Sequence, residues 1–252
     1  MKKVLSIAAS DPSGGAGIEA DLKVFAAHGV FGMSAVTGIT VQGPKGIKKI
    51  IPTPLRDFSM ILEIIAEQTP PDAVKVGALL SAGHVRAVRK FLLRRKIPTV
   101  LDPLLKSGRG FPLLARNAWK ELVSLFELVE LVTPNAPEAE MLAGVRIRTK
   151  RDAFKAMEIL MLLGADAVLL KGGHLKGGPQ DILWSEDDFQ IFRKKRLAGP
   201  FHGTGCAISS AIAANLAKGL GLEQSVAKAE KYMDRALKFA VEINGVKYLT
   251  HV

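Results

Sequence analysis

The sequence predicts a three-layer α/β/α fold, a single domain over residues 1–252 whose mostly parallel central sheet is covered by helices on both faces. Three observations predict it. Strand-like and helix-like segments alternate from end to end, no Ser/Gly/Pro-rich linker or 20–50-residue repeat interrupts them, and 48% of the 252 residues are hydrophobic. Strands separated by helices require right-handed crossovers and so a parallel sheet buried on both sides.

The elements follow in order. Val4–Ala8 reads as a buried strand, Ile18–Ala27 as a helix stopped near Gly29, and Ser34–Val41 as a β-branched strand. Thr53-Pro54 suits a helix start, since Thr can cap free amides and Pro at the first position loses no bond. Phe58, Ile61, Leu62 and Ile65 then recur at helical spacing. Strand Ala73–Val76, helix Ser81–Arg95, strand Thr99–Leu101, helix Ala115–Phe126 and strand Leu128–Thr133 come next. Helices Pro137–Ala143 and Lys150–Leu163 each have a glycine just past the end, Gly144 and Gly164, as helix C-termini prefer. Strand Ala167–Leu170 leads to a hairpin over Asp181–Ser185 and Phe189–Phe192, and helices Gly205–Lys218 and Glu223–Val241 follow.

Composition narrows the function. The single cysteine excludes an intramolecular disulfide framework and fits a reducing compartment. Met1-Lys2-Lys3 before Val4–Ala9 faintly resembles a signal peptide, but Ser10-Asp11 ends the apolar run too early, so a cytoplasmic location is expected. No run approaches the roughly 20 apolar residues of a membrane span. The net charge of +11 raises the chance of an anionic partner. The densest clusters are Arg86, Arg89, Lys90, Arg94, Arg95 and Lys96, then Arg193 to Arg196; the first occupies the polar face of a helix whose other face carries Val85, Val88, Phe91 and Leu92, so both read as solvated faces rather than a nucleic-acid site.

Five loops at strand ends carry the candidate chemistry, because ligands of open α/β sheets bind outside the carboxyl ends of the strands. Ser10-Asp11-Pro12-Ser13-Gly14-Gly15-Ala16-Gly17 is either a turn or a ligand loop; its glycines lie too far from the strand for a dinucleotide fingerprint. Phe201-His202-Gly203-Thr204-Gly205-Cys206 opens a helix, so its amides and the helix dipole suit an anion. A lone Cys is usually a small buried apolar residue. After Gly-Thr-Gly, however, Cys206 sits where the dipole favours a thiolate, and a general-base role is the favoured reading. In Thr133-Pro134-Asn135-Ala136-Pro137-Glu138, spacing favours a capping box of Asn135 and Glu138, with a hydrated Mg²⁺ as the alternative. Lys171-Gly172-Gly173-His174 offers a cation for phosphate, and Asp102-Pro103 a carboxylate. The five His show no metal-ligand spacing.

Taken together and in this order, these loops resemble the ribokinase superfamily and, within it, the hydroxymethylpyrimidine/phosphomethylpyrimidine kinases of thiamine biosynthesis. The resemblance also rests on Ile18 to Lys23, Gly32-Met33-Ser34-Ala35, Gln42 and Val74-Lys75-Val76-Gly77, and spans nearly the whole chain. It implies ATP- and Mg²⁺-dependent transfer of the γ-phosphoryl group to a hydroxymethylpyrimidine and then to its monophosphate, by a homodimer. By position, Cys206 would deprotonate or orient the acceptor hydroxyl, and Gly203, Thr204 and Gly205 would hold the phosphoryl group. Asp21 and Gln42 would bond the aminopyrimidine edge, with Ala16 near the ring. Lys171, Asp102, Asn135 and Glu138 would serve the ATP phosphates and Mg²⁺. Ala9, Gly43-Pro44, Ala78, Gly199-Pro200-Phe201 and Ala207 depart from the family pattern around the pocket. A pyridoxine-type acceptor, or a ligand sensor without turnover, therefore stays open beside the pyrimidine kinase.

Overall fold

The computed structural model describes residues 1–43, 45–172, 178–186, 188–195 and 199–251. β1 (Lys3–Ser10) leads into α1 (Gly17–Ala27), and β2 (Phe31–Gly43) pairs antiparallel with β3 (Gly46–Pro52). Then come α2 (Leu55–Gln68), β4 (Ala73–Val76), α3 (Ala82–Leu93), β5 (Thr99–Leu101), α4 (Trp119–Val123), β6 (Leu131–Val132), α5 (Ala136–Ala143), α6 (Lys150–Leu162) and β7 (Ala167–Gly172). A second hairpin, β8 (Gln180–Ser185) and β9 (Asp188–Arg193), precedes β10 (Phe201–His202), α7 (Thr204–Ala217) and α8 (Leu222–Lys238). The hairpin β11 (Val241–Ile243) and β12 (Val246–Tyr248) follows.

Nine strands form one sheet in the order β3-β2-β1-β4-β5-β6-β7-β8-β9, parallel from β2 to β7 and antiparallel at its hairpins. This is the predicted α/β/α architecture. The chain leaves β1 in one direction for β2 and returns to its other side for β4. That reversal opens the loops after β1 and β4 away from each other and makes a crevice at their carboxyl ends.

Alternation along the strands sorts side chains to two cores. Leu5, Ile7, Val74, Val76 and Leu101 pack beneath α2–α6, while Val4, Ala73, Val100 and Leu169 pack beneath α1, α7 and α8. Lys75, between Val74 and Val76, therefore faces α1 and α7. Helix α7 is buried from Cys206 to Ala217, as expected for a helix apolar nearly all round.

Four local expectations differ from the structure. Thr53 does not cap α2, because its hydroxyl donates to Val36 O at 2.8 Å and so ties the helix to the sheet. The predicted helix Ala115–Phe126 is broken into two short 3-10 turns around α4. Ser124 Oγ donates back to Glu121 O at 2.7 Å, offering the backbone a competing partner. The predicted strand Leu128–Thr133 narrows to Leu131–Val132. The last helix ends at Lys238, not Val241, because Asn244 and Gly245 take positive φ and close the β11–β12 hairpin. β12 then pairs with β10, carrying Tyr248 to the start of α7.

Candidate active site

Two glycine loops interlock at the carboxyl end of the sheet. Gly203 takes φ +79°, and a methyl group there would lie 1.7 Å from Gly15 O. A methyl group at Gly15 would in turn meet His202 Cδ2 at 2.3 Å and Tyr248 Cδ1 at 2.6 Å. Only glycines permit this approach, so the loop after β1 and the loop opening α7 form one cradle. The amides of Thr204, Gly205 and Cys206 begin a 14-residue helix and have no intrahelical acceptor.

Cys206 is 7% exposed and accepts a hydrogen bond from the Gly17 amide. Burial pushes its thiol up to about 11 despite the pull of Lys75, with Asp21 and Asp102 adding to the rise. The thiolate expected from the helix dipole is thus overturned for the resting protein, because desolvation outweighs the dipole.

Asp21, expected at the substrate edge, is fully buried and fully engaged. Its oxygens accept from Ser6 Oγ (2.5 Å), Ser210 Oγ (2.7 Å) and Lys75 Nζ (2.8 and 3.0 Å), with no side-chain exposure on either ion. No oxygen remains for a ligand, so Asp21 anchors α1 to α7 and β4. Lys75 stands inside the motif Val74-Lys75-Val76-Gly77, which gives it no role of its own. A charged residue inside the apolar run Ala73–Val76 was its signal.

Lys171, Asp102, Asn135 and Glu138 do converge. Lys171 Nζ donates to Asp102 Oδ1 at 2.6 Å, and a methyl group at Gly205 would lie 3.1 Å from that Nζ and 3.8 Å from Asp102 Oδ2. The cation therefore sits at the start of α7. Asn135 and Glu138 form the anticipated capping box, each side chain bonding the other's backbone at 2.9 Å. Glu138 Oε1 and Asp102 Oδ2 are buried without a hydrogen-bond partner. Burial, then Asp102, raises Glu138 to about 8 against the opposing pull of Lys171. Two unpartnered buried carboxylate oxygens beside the amides that open α7 suit a hard cation that keeps waters among its other ligands. No cluster of three His, Cys, Asp or Glu side chains stands ready to hold a metal among the described residues.

Gln42 and Ala16 face each other across Asp11. Asp11 Oδ2 accepts from His202 Nε2 (2.7 Å), the Ala16 amide (3.1 Å) and Gln42 Nε2 (3.3 Å), and Oδ1 accepts from the Ser13 amide (3.0 Å). Burial works to raise Asp11, but the bonds from His202 and Ser13 outweigh it and hold the carboxyl below its usual range. Asp11 and His202 lay inside the quoted motifs, yet neither was given a role. Gly173 and His174, from the fourth motif, lie outside the described residues.

The basic helix α3 is partly neutralised. Arg86, Arg89 and Lys90 pair with Glu121 (3.4 Å), Glu127 (3.0 Å) and Glu63 (3.5 Å). Among the described residues no helix is long and apolar enough to cross a membrane.

An α/β/α sheet with a glycine-built cradle at a buried helix start is the architecture of a ribokinase-like kinase, and known proteins similar to this chain share it. Residues 11–251 match the phosphomethylpyrimidine kinase family, and the chain belongs to it. It is 37% identical to the hydroxymethylpyrimidine/phosphomethylpyrimidine kinase of Haemophilus influenzae, over 96% of this chain and 93% of that one. It is 40% identical to the thiamine biosynthesis bifunctional protein ThiED of Geobacter sulfurreducens, of which it spans about half (49%) while 94% of this chain is covered. Among solved structures, the phosphomethylpyrimidine kinase of Clostridium difficile superposes with TM-score 0.85 at 36% identity, covering 94% of this chain and all of that one. The pyridoxal kinase of Bacillus subtilis, solved with ADP, superposes with TM-score 0.92 at 30% identity, covering 100% and 97%. The chain is thus a phosphotransferase.

Proposed function

We propose that residues 1–252 form one cytoplasmic kinase domain that transfers the γ-phosphoryl group of ATP to the hydroxymethyl group of 4-amino-5-hydroxymethyl-2-methylpyrimidine, to its monophosphate, or to both. The observation that carries this reading is the interlocked cradle, which gathers the α7 amides, Lys171 and Cys206 at one crevice edged by Gln42 and Ala16. Phosphoryl transfer asks a protein mainly for positioning and charge stabilisation. The amides at Gly203, Thr204 and Gly205 hold the transferring group, and Lys171 offsets phosphate charge. Cys206, a neutral thiol at rest, orients the acceptor hydroxyl; acting as the base requires its thiolate, which Lys75 and the Gly17 amide favour.

Mg²⁺ fits the unpartnered oxygens of Glu138 and Asp102, with Asn135 beside them. When bound it would neutralise phosphate charge. A homodimer is supported by apolar side chains exposed together on the β2–β3 hairpin and α2, including Ile39, Val41, Ile51 and Met60. The ADP-bound pyridoxal kinase likeness favours pyridoxal as a second acceptor. ADP release with the pyrimidine alcohol, its monophosphate and pyridoxal in parallel tests the reading: turnover with a pyrimidine supports it, and turnover with pyridoxal alone replaces it.

A further inference from the structure

Gln42 stands where the β2–β3 register shifts, between Val41 and Gln42. Such a bulge re-aims the side chain that follows it. Its amide nitrogen lies 3.3 Å from Asp11 Oδ2 and 3.2 Å from His202 Nε2. An ionised carboxylate only accepts hydrogen bonds. The His202 nitrogen, 2.7 Å from that carboxylate, must therefore carry its hydrogen and has no lone pair left for Gln42. Turning the Gln42 amide over would set Oε1 against the ionised carboxylate, oxygen to oxygen, a costlier contact than the present one between the Gln42 and His202 N–H groups. The amide is held one way, with Nε2 toward Asp11 and Oε1 turned from it, and Oε1 accepts no hydrogen bond among the described residues.

We infer that Asp11, braced by His202 and the loop amides, fixes the orientation of the Gln42 side chain and so makes this site select an acceptor that donates a hydrogen bond from its ring edge. An amino-substituted heterocycle meets Gln42 Oε1 with an N–H. A ring carrying an oxo group at the same position meets it oxygen to oxygen. Asp11 is then a positioning residue that sets specificity through Gln42. The inference rests on the aminopyrimidine reading above.

The test is the ratio of kcat/KM for 4-amino-5-hydroxymethyl-2-methylpyrimidine over its 4-oxo analogue. The wild type favours the amine at least about tenfold, as expected where a wrong partner leaves a polar group unpaired. In Asp11→Asn the new amide can donate to Gln42 Oε1, so the glutamine can turn over and the ratio falls at least about tenfold. In a Gln42→Met background the same change leaves the ratio where Gln42→Met alone sets it. If Asp11→Asn does not fold, Asp11→Ser removes the carboxylate with less bulk and carries the same expectation. An unchanged ratio in the folded variant, even with lower turnover of both compounds, overturns the inference. So does a shift of equal size without Gln42. A wild type that phosphorylates neither pyrimidine overturns the underlying reading and this inference with it, whereas turnover with an unmoved ratio overturns the inference alone.

Discussion

Lys75 Nζ lies 2.8 and 3.0 Å from the two carboxylate oxygens of Asp21, and neither side chain has any solvent exposure. Ser6 from β1 and Ser210 from α7 complete the carboxylate's bonds. Ser210 lies one helical turn beyond Cys206, on the same face of α7. The pair thus fixes the helix that Gly203 to Cys206 open to α1 and to the centre of the sheet.

Removing one partner leaves the other charge buried. Lys75→Met should cost about 3–5 kcal/mol of stability, and the double variant Asp21→Asn with Lys75→Met much less. Urea unfolding of both variants measures it; equal losses would show that packing, not charge, accounts for the effect.

Gly203→Ala should be far worse than Gly219→Ala, although both glycines have positive φ. At Gly219 a methyl group meets open space, so the cost is backbone strain of about 1–2 kcal/mol with turnover retained. At Gly203 it strikes Gly15 O, parts the two loops and should lower kcat by about 10² or more, the scale of losing an anion donor. Kinetics and thermal melts of the two variants compare them directly.

Cys206 should react slowly with iodoacetamide near neutral pH. With its thiol pushed up to about 11, the rate should rise only well above pH 9, while the unfolded chain labels near the usual thiol range. A native pH–rate profile with a midpoint at or below 7 would contradict the burial argument.

Glu230 gives a pH dependence away from the site. Its Oε2 accepts from Lys194 at 3.0 Å, Oε1 has no partner, and burial, then Asp181, raises it to about 8 against Lys194. A carboxyl raised in the folded state binds more protons than the unfolded chain between its ordinary value and about 8. Stability therefore falls as pH rises through that window, by up to roughly 1.4 kcal/mol per pH unit. Glu230→Gln should flatten this slope; denaturant unfolding from pH 5 to 8 would show an unchanged slope if the account is wrong.

Two of the buried strands were readable to the residue. Ala73–Val76 and Thr99–Leu101 are short apolar runs with clear ends, and Asn135 and Glu138 cap α5 as their spacing requires. β3 escaped because its Lys48 and Lys49 and exposed Ile51 lack the signature of a half-buried strand. The β11–β12 hairpin had its Asn244-Gly245 signal, but Val241 extends the apolar spacing of the preceding helix and hid it. Asp21 was misplaced for a different reason. Its role depends on Lys75, 54 residues away, and on Ser210, 189 residues away, and no local pattern reports such a pairing.

If Cys206 at the start of α7 serves phosphoryl transfer to an aminopyrimidine alcohol, its removal stops turnover and leaves ATP bound. ADP release with Mg²⁺-ATP and 4-amino-5-hydroxymethyl-2-methylpyrimidine, for wild type and Cys206→Ala with ATP affinity measured alongside by calorimetry, tests it most directly. Turnover is expected of the wild type, and in the variant ATP binding within a small factor of wild type with most turnover lost. Near-normal turnover in Cys206→Ala, or none in the wild type, would contradict it.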